Sequence, residues 1–264
     1  MPGLADKAFA LAKRPHSATD RVRNKLSVWI DRFSTPSKLA ESISAGELLS
    51  ELSRLLCTPC EEYLESSSLR SLETHLTTQR CYLAQQRPPF DVVHNGTTTL
   101  GRICYVVCRA LKPRAVVETG VAYGITSAYT LQALTDNGSG RLYSVDLPPL
   151  GPDCEKYVGY FVPSRLRERW SLRIGSARRV LPDLLTQLQQ IDIFIHDSLH
   201  TYTHMSWEFA HALRALSPGG VLVADDLQGN RAFEELLTMP RIQSWFASKE
   251  DGKNALCGAI RIKQ

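Results

Sequence analysis

Ala-Val-Val-Glu-Thr-Gly-Val-Ala-Tyr-Gly-Ile-Thr-Ser, the sequence of residues 115–127, joins a β-branched run, a glycine turn and the start of a helix. The β-branched run predicts a short strand that ends near Glu118. Gly120 and Gly124 allow a tight turn and a close approach of a ligand to the backbone at a helix N-terminus. The turn has neither the Gly-x-Gly-x-x-Gly of a dinucleotide site nor the Gly-Lys-Ser/Thr of a phosphate-binding loop.

The same alternation of short apolar strands and helices continues on both sides of this segment. Around the helix over about 125–135, helices are predicted at Leu100–Leu111 and over 203–216, with a turn at Ser217-Pro218-Gly219-Gly220. Short apolar strands that alternate with helices indicate a parallel sheet covered on both faces, so the fold class is α/β. The predicted strands are Arg141–Asp146, Leu172–Ile174, Ile191–His196, Val221–Ala224 and Ala255–Lys263.

Residues 1–90 differ from the rest and are predicted to be a mostly helical region, followed by the main domain at 91–264. Leu48, Leu52, Leu55 and Leu56 form an apolar stripe on one helix face, and Arg87-Pro88-Pro89 closes the region. The region could cap an active site, form a dimerisation surface or have no functional role of its own. The apolar faces of residues 37–56 are compatible with a homo-oligomer.

Composition excludes several classes of protein. The chain has 264 residues, of which 43% are hydrophobic and 22% charged, as in globular proteins. The net charge of +4 comes from residues 1–33, which hold seven basic and three acidic side chains. The remaining chain is neutral, which argues against a nucleic-acid or membrane partner. Neither a membrane span nor a secretory signal is predicted, and an odd number of cysteines, seven, predicts a reduced cytosolic protein.

Carboxylates follow four of the predicted strands. Because ligands of an open parallel sheet bind beyond the carboxyl ends of the strands, these acids mark the predicted site. The alternative is that they cap helices or hold loops by local hydrogen bonds. The residues are Glu118, Asp146, Asp197, Asp225 and Asp226.

Together the motifs resemble the class I S-adenosylmethionine-dependent methyltransferases. The resemblance spans residues 92–264 and includes the glycine turn, the run 142–149, Ile195-His-Asp-Ser-Leu-His-Thr-Tyr202 and the Pro218-Gly-Gly turn with its two aspartates. It is strongest with a bacterial subgroup related to the macrocin and cephalosporin-type O-methyltransferases of secondary metabolism. It implies a Rossmann-like sheet, mostly parallel with an antiparallel last strand.

The resemblance also implies how the cofactor is held. Gly120 and Gly124 would approach its methionine and ribose portions, Glu118 would orient the turn and the amino group, and Asp146 would take the ribose hydroxyls. Gly175 and Ser176 would lie near the adenine, although many relatives have an aspartate where this chain has Ser176. The full set of predicted cofactor residues is Glu118, Gly120, Tyr123, Gly124, Ser127, Asp146, Gly175, Ser176 and Asp197.

Asp197, Asp225 and Asp226 resemble the metal ligands of the divalent-cation-dependent branch. Three hard oxygen donors suit Mg²⁺, which could lower the pKa of a substrate hydroxyl. His200, in the loop after Asp197, is the candidate general base; a simple hydrogen bond to a loop carbonyl is the alternative.

The resulting expectation is a methyltransferase that acts on the hydroxyl of a small molecule. Two other classes of protein are alternatives. A non-catalytic, cofactor-binding interaction protein would explain the unassigned residues 1–90 and the unusual Ser176. A nicotinamide dehydrogenase shares the sheet but lacks its fingerprint here.

Overall fold

The computed structural model describes residues 16–39, 42–43, 47–91, 97–250 and 254–264. In these residues a single eight-stranded sheet has the strand order β1-β7-β8-β6-β5-β2-β3-β4. Its strands are β1 Ser42–Ile43, β2 Ala115–Thr119, β3 Arg141–Asp146, β4 Trp170–Ile174, β5 Ile191–His196, β6 Leu216–Ala224, β7 Ile242–Lys249 and β8 Leu256–Ile262.

The sheet is parallel except for β8. Val117 pairs with Phe194 on one side and with Tyr143 on the other, both in parallel register. Strand β8 runs antiparallel to both of its neighbours, β6 and β7. The predicted Rossmann-like architecture with an antiparallel last strand is confirmed.

Helices cover both faces of the sheet. Those before β2 are α1 His16–Asp31, α2 Leu48–Leu56, α3 Glu61–Leu64, α4 Ser67–Ala84 and α5 Thr98–Leu111. Those after it are α6 Ile125–Asp136, α7 Ala177–Leu188, α8 Tyr202–Ala215 and α9 Ala232–Leu236. No helix in the described part of the chain is both long and apolar enough to cross a membrane.

The helices of residues 1–90 pack onto the sheet rather than standing apart. Leu52 and Leu72 are buried in the same apolar core as Ile103 and Val116. The two-residue strand β1 also pairs with β7 at the sheet edge. The division at residue 90 stays a prediction, but its two sides share one core.

The structure departs from the sequence prediction at the last strands. Ser217–Gly220, predicted as a turn, lies inside β6, where the register with β5 shifts between Ile191 and Ile193. Pro and Gly fit this strand because the irregular pairing releases some residues from the ladder. Strands β1 and β7 were not predicted, since neither has a clean alternation of apolar and polar residues.

Candidate cofactor and metal site

A cavity of about 290 Å³ opens at the carboxyl ends of β2, β3, β4 and β5. Because all four strands are parallel, their ends and the following loops meet at one sheet edge. The cavity is lined by several residues predicted from the sequence, namely Gly120, Asp146, Gly175, Ser176 and Asp197. Their predicted cofactor contacts remain predictions, but the fold brings these five positions together.

The turn after β2 requires glycine at position 120. Gly120 has φ +85, and a Cβ atom there would lie 1.8 Å from the carbonyl oxygen of Asp197. The amide of Asp197 in turn donates to the carbonyl of Thr119 at 2.9 Å. The turn and the loop after β5 are therefore in direct backbone contact at the cavity.

Glu118 is fully buried beneath this turn. Its Oε2 accepts hydrogen bonds from Ser127 Oγ at 2.7 Å and from Ser144 Oγ at 2.6 Å. Its Oε1 is buried and has no hydrogen-bond partner. Burial raises the pKa of Glu118 to about 7, against the opposing effect of the two serines. Oε1 is therefore a buried acceptor without a partner, although Glu118 is not among the residues that line the cavity.

We expect the Glu118→Gln substitution to reduce the pH dependence of stability. The folded protein holds a proton on Glu118 up to about pH 7, whereas the unfolded chain releases it near the ordinary pKa of 4.5. The contribution of this group is therefore largest below pH 4.5 and falls by about 3 kcal/mol as the pH rises through 7. Gln keeps an acceptor for the two serines and carries no charge.

Urea unfolding at pH 5 and pH 8 measures this effect. The difference in unfolding free energy, variant minus wild type, should increase from pH 5 to pH 8. Glu168→Gln, at an exposed position, is the matched control and should show no such trend. A Glu118→Gln curve parallel to that of the wild type would contradict the assignment.

Asp146 ends β3 at the cavity. Its Oδ1 accepts a hydrogen bond from the amide of Val121 at 3.1 Å, which fixes the carboxylate against the glycine turn. Burial raises its pKa to about 6, and the guanidinium of Arg21 and nearby amides act in the opposite direction. A carboxylate held in this way presents its remaining acceptor capacity to hydroxyl donors.

Like Glu118, three other predicted cofactor residues lie outside the described lining of the cavity. Tyr123 stacks on Phe90 with 4.1 Å between ring centroids, and its hydroxyl donates to the Phe90 carbonyl at 2.6 Å. Gly124 packs against the backbone of Gly159. Ser127 is engaged by Glu118. The structure thus places all three in the support of the turn, and their direct contact with a cofactor stays a prediction.

The acids after β5 and β6 form a group that could hold a metal ion. Ligand atoms of Asp197, His200 and Asp225 all lie within 4.8 Å of one another. Asp225 Oδ1 and His200 Nε2 are buried without a hydrogen-bond partner. Burial raises the pKa of Asp197 to about 7 and that of Asp225 to about 6. Clustered carboxylates with unpartnered buried donor atoms fit a divalent cation.

Asp226, whose role as a metal ligand stays a prediction, contacts His200 in the structure. It has a left-handed backbone, with φ +51, and its Oδ2 lies 2.8 Å from Nδ1 of His200. Its carboxylate thus holds the far side of the imidazole and directs Nε2 toward Asp197, 4.0 Å away. A carboxylate that orients a histidine from behind is typical of metal sites.

This contact changes the interpretation of His200. Burial lowers its pKa, but the hydrogen bond that Nδ1 donates to Asp226 and the nearby carboxylates raise it to about 9. A raised pKa favours the protonated imidazolium, which is a poor general base and which would have to lose its proton before Nε2 could bind a cation. The geometry favours it as the third member of the metal-binding group, and its predicted catalytic role remains untested.

One buried network was not predicted from the sequence. Glu208 accepts hydrogen bonds from Thr119, Ser198, His196 and His204, at 2.6 to 3.0 Å. Burial would raise its pKa, but the two histidines lower it well below the usual range. The spacing of His204 and Glu208 on α8 is the signal that could have found this pair. The network ties β2, β5 and α8 together directly behind the site.

Part of the chain is similar to a known family. Residues 117–227 match the model of a family described as a methyltransferase domain. No curated protein matches the chain at a significant level.

Solved structures of similar fold support this match. An O-methyltransferase from Bacillus cereus in complex with SAH has 18% sequence identity and a TM-score of 0.53, over 72% of this chain and 90% of its own. A putative O-methyltransferase from Klebsiella pneumoniae has 16% identity and a TM-score of 0.55, over 73% and 90%. TomG from Streptomyces achromogenes, an O-methyltransferase of tomaymycin synthesis in complex with SAM, has 16% identity and a TM-score of 0.54, over 75% and 91%. At these identities the likeness concerns the fold.

Proposed function

We propose that this protein is an S-adenosylmethionine-dependent O-methyltransferase that acts on a small hydroxylated molecule with the help of a divalent cation. The observation that carries the proposal is the double position of Asp197. It lines the cavity with the glycine turn and Asp146, and it also belongs to the metal-binding group. The predicted cofactor and metal sites are therefore adjacent.

The cavity offers the contacts that the cofactor needs. Asp146 has acceptors for the two ribose hydroxyls, and Gly120 lines the same cavity beside it. Ser176 is the N-cap residue of α7. Its buried hydroxyl has no hydrogen-bond partner, which makes it available to the adenine. We assign Glu118, whose Oε1 has no hydrogen-bond partner, to the orientation of the glycine turn. Through this turn it would position the positively charged amino group of the cofactor.

Asp197, His200 and Asp225 would hold the cation. A bound divalent cation supplies Lewis acidity, which favours the deprotonated form of an acceptor hydroxyl at neutral pH. Mg²⁺ is the proposed ion, and the imidazole in the donor set also fits Mn²⁺. Asp226 keeps His200 in the orientation that leaves Nε2 free for the ion. The protein's own task is then to align the acceptor oxygen with the methyl group and to exclude water.

The wider resemblance gives the proposed setting of the reaction. The motifs resemble those of the macrocin and cephalosporin-type subgroup, and one neighbour in fold is involved in tomaymycin synthesis. We therefore place the acceptor among small hydroxylated metabolites of secondary metabolism.

Calorimetric titration of the purified protein tests this function directly. S-adenosylmethionine should bind with micromolar affinity, and NAD should not bind under the same conditions. Each titration is repeated with Mg²⁺ and with chelator. A folded protein that fails to bind S-adenosylmethionine would overturn the proposal and favour a non-catalytic interaction protein.

A further inference from the structure

Helix α1 packs onto the protein through its polar side. Arg21 donates to the carbonyl of Pro148 at 2.5 Å, and Asp20 pairs with Arg179 at 3.2 Å. Ser27 and Thr201 share a hydrogen bond of 2.6 Å. At the end of the helix, Asp31 accepts from the amide of Tyr202 at 2.8 Å. The polar face of α1 is thus the face that the protein body covers.

The opposite side of α1 carries Val22, Leu26 and Trp29, and Phe33 follows in the turn just after the helix; we call these four residues the outer face. These residues recur at the spacing of a helix stripe, and 67, 53, 57 and 78% of their respective surfaces are exposed. The described residues contain eight exposed large apolar side chains, and six of these lie between positions 22 and 33. Such a concentration marks an interaction surface, because soluble surfaces expose large apolar residues mostly as single residues.

Among the described residues of α1 and the turn after it, the exposed charges are all of one sign. Arg23, Lys25 and Arg32 are exposed. The two acids of this helix, Asp20 and Asp31, contact the protein body instead. A second copy docked on the same face would bring like charges together. The charge pattern therefore favours an occupant that is apolar inside and negatively charged at its surface.

We propose that α1 docks this protein on an anionic lipid surface. An apolar helix face with tryptophan and phenylalanine, flanked by lysine and arginine, is the pattern of helices that lie in a membrane interface. The expectation of no membrane partner rests on the neutral charge of residues 34–264. Helix α1 lies instead in residues 1–33, which contain the whole basic excess. The docking is peripheral, since it uses one face of a helix.

The position of α1 gives the docking a consequence for the site. Asn24, on the same helix, lines the cofactor cavity. A second cavity of about 570 Å³ lies beside the helix, between Val22 and Lys25 on one side and Pro149 and Leu150 on the other. Docking through the outer face would therefore bring the lipid surface beside the opening of the candidate site.

Vesicle flotation of the full chain tests the proposal. We expect partition onto vesicles of phosphatidylcholine with 30% phosphatidylglycerol to exceed that onto pure phosphatidylcholine by on the order of 100-fold, since three basic residues contribute. Raising the salt from 0.1 to about 0.5 M should remove most of this difference.

Variants locate the surface. The double substitution Trp29→Ser and Phe33→Ser should lower partition at least ~10-fold. Tyr82→Ser, at another exposed aromatic residue on α4, should leave it unchanged. The thermal midpoint and the affinity for S-adenosylmethionine of each variant show whether it is folded, independently of lipid binding.

Three outcomes would overturn the proposal. The first is equal partition onto neutral and anionic vesicles, and the second is full partition of the double variant. The third is a dimer in sedimentation velocity that the double substitution dissociates, without any binding to vesicles. None of these outcomes bears on the methyltransferase function, which the cofactor titration tests separately.

Discussion

The Asp225→Asn protein should bind Mn²⁺ more than ~100-fold more weakly than the wild type and retain its affinity for S-adenosylmethionine in chelator. Asp225 offers a buried, unpartnered oxygen to the group that includes Asp197 and His200. Loss of its charge removes a direct ligand, and even an outer partner of a metal site typically contributes roughly 10–100-fold in affinity. Asp225 is not among the described residues that line the cofactor cavity, so cofactor binding should not change.

Two further substitutions complete this experiment. Asp226→Asn should weaken Mn²⁺ binding by roughly 10–100-fold, because it removes only the group that orients His200. Asp183→Asn, at an exposed position on α7, should have no effect. Calorimetry with Mn²⁺, and competition by Mg²⁺, measures all three proteins. A wild type that binds no divalent cation, or an Asp225→Asn protein that binds as tightly as the wild type, would eliminate the metal site.

Asp146→Ala should lower the affinity for S-adenosylmethionine by on the order of 100-fold. A carboxylate that accepts from both ribose hydroxyls makes two charge-assisted hydrogen bonds, and such bonds are among the stronger ones in proteins. The substitution also removes the acceptor for the Val121 amide, which holds the turn at the cavity. Both effects weaken binding, and neither should alter Mn²⁺ binding by Asp197, His200 and Asp225.

Asp146→Asn separates the two effects. Asn keeps an oxygen acceptor for the Val121 amide but has no charge, so its loss of affinity should lie between those of wild type and Asp146→Ala. Calorimetric titration gives the affinities, with Asp183→Ala as the control for removal of a surface carboxylate. If Asp146→Ala bound the cofactor as tightly as wild type, the assignment of the cavity would be wrong.

The central sheet could be predicted because its strands are short, apolar and separated by helices. Residues 115–119 and 191–196 are mostly buried runs of this kind, and the structure shows them as β2 and β5. Strand β7 has mixed polarity and β1 has only two residues. Their pairing at the sheet edge depends on tertiary contacts, which a local sequence pattern does not carry.

The positions of the site residues could be predicted from the sequence, but the roles of their side chains could not. The strand-end rule brings Asp146, Asp197 and Asp225 to one edge, and they do lie there. It cannot distinguish Asp226 from His200 as the third member of the metal-binding group. That choice depends on the left-handed backbone of Asp226, which turns its carboxylate toward His200. Spacing along the chain contains no information on this orientation.

The close approach of Asp197 to Gly120 has a thermodynamic meaning. The carbonyl of Asp197 lies against the glycine turn, and Asp197 also lines the candidate cofactor cavity. Its carboxylate belongs to the group that could hold a cation. If one ligand displaced Asp197, the affinity for the other ligand would change. Linkage then requires that the cation change cofactor affinity by the same factor as the cofactor changes cation affinity. The binding of the two ligands would thus be coupled to the same extent in both directions.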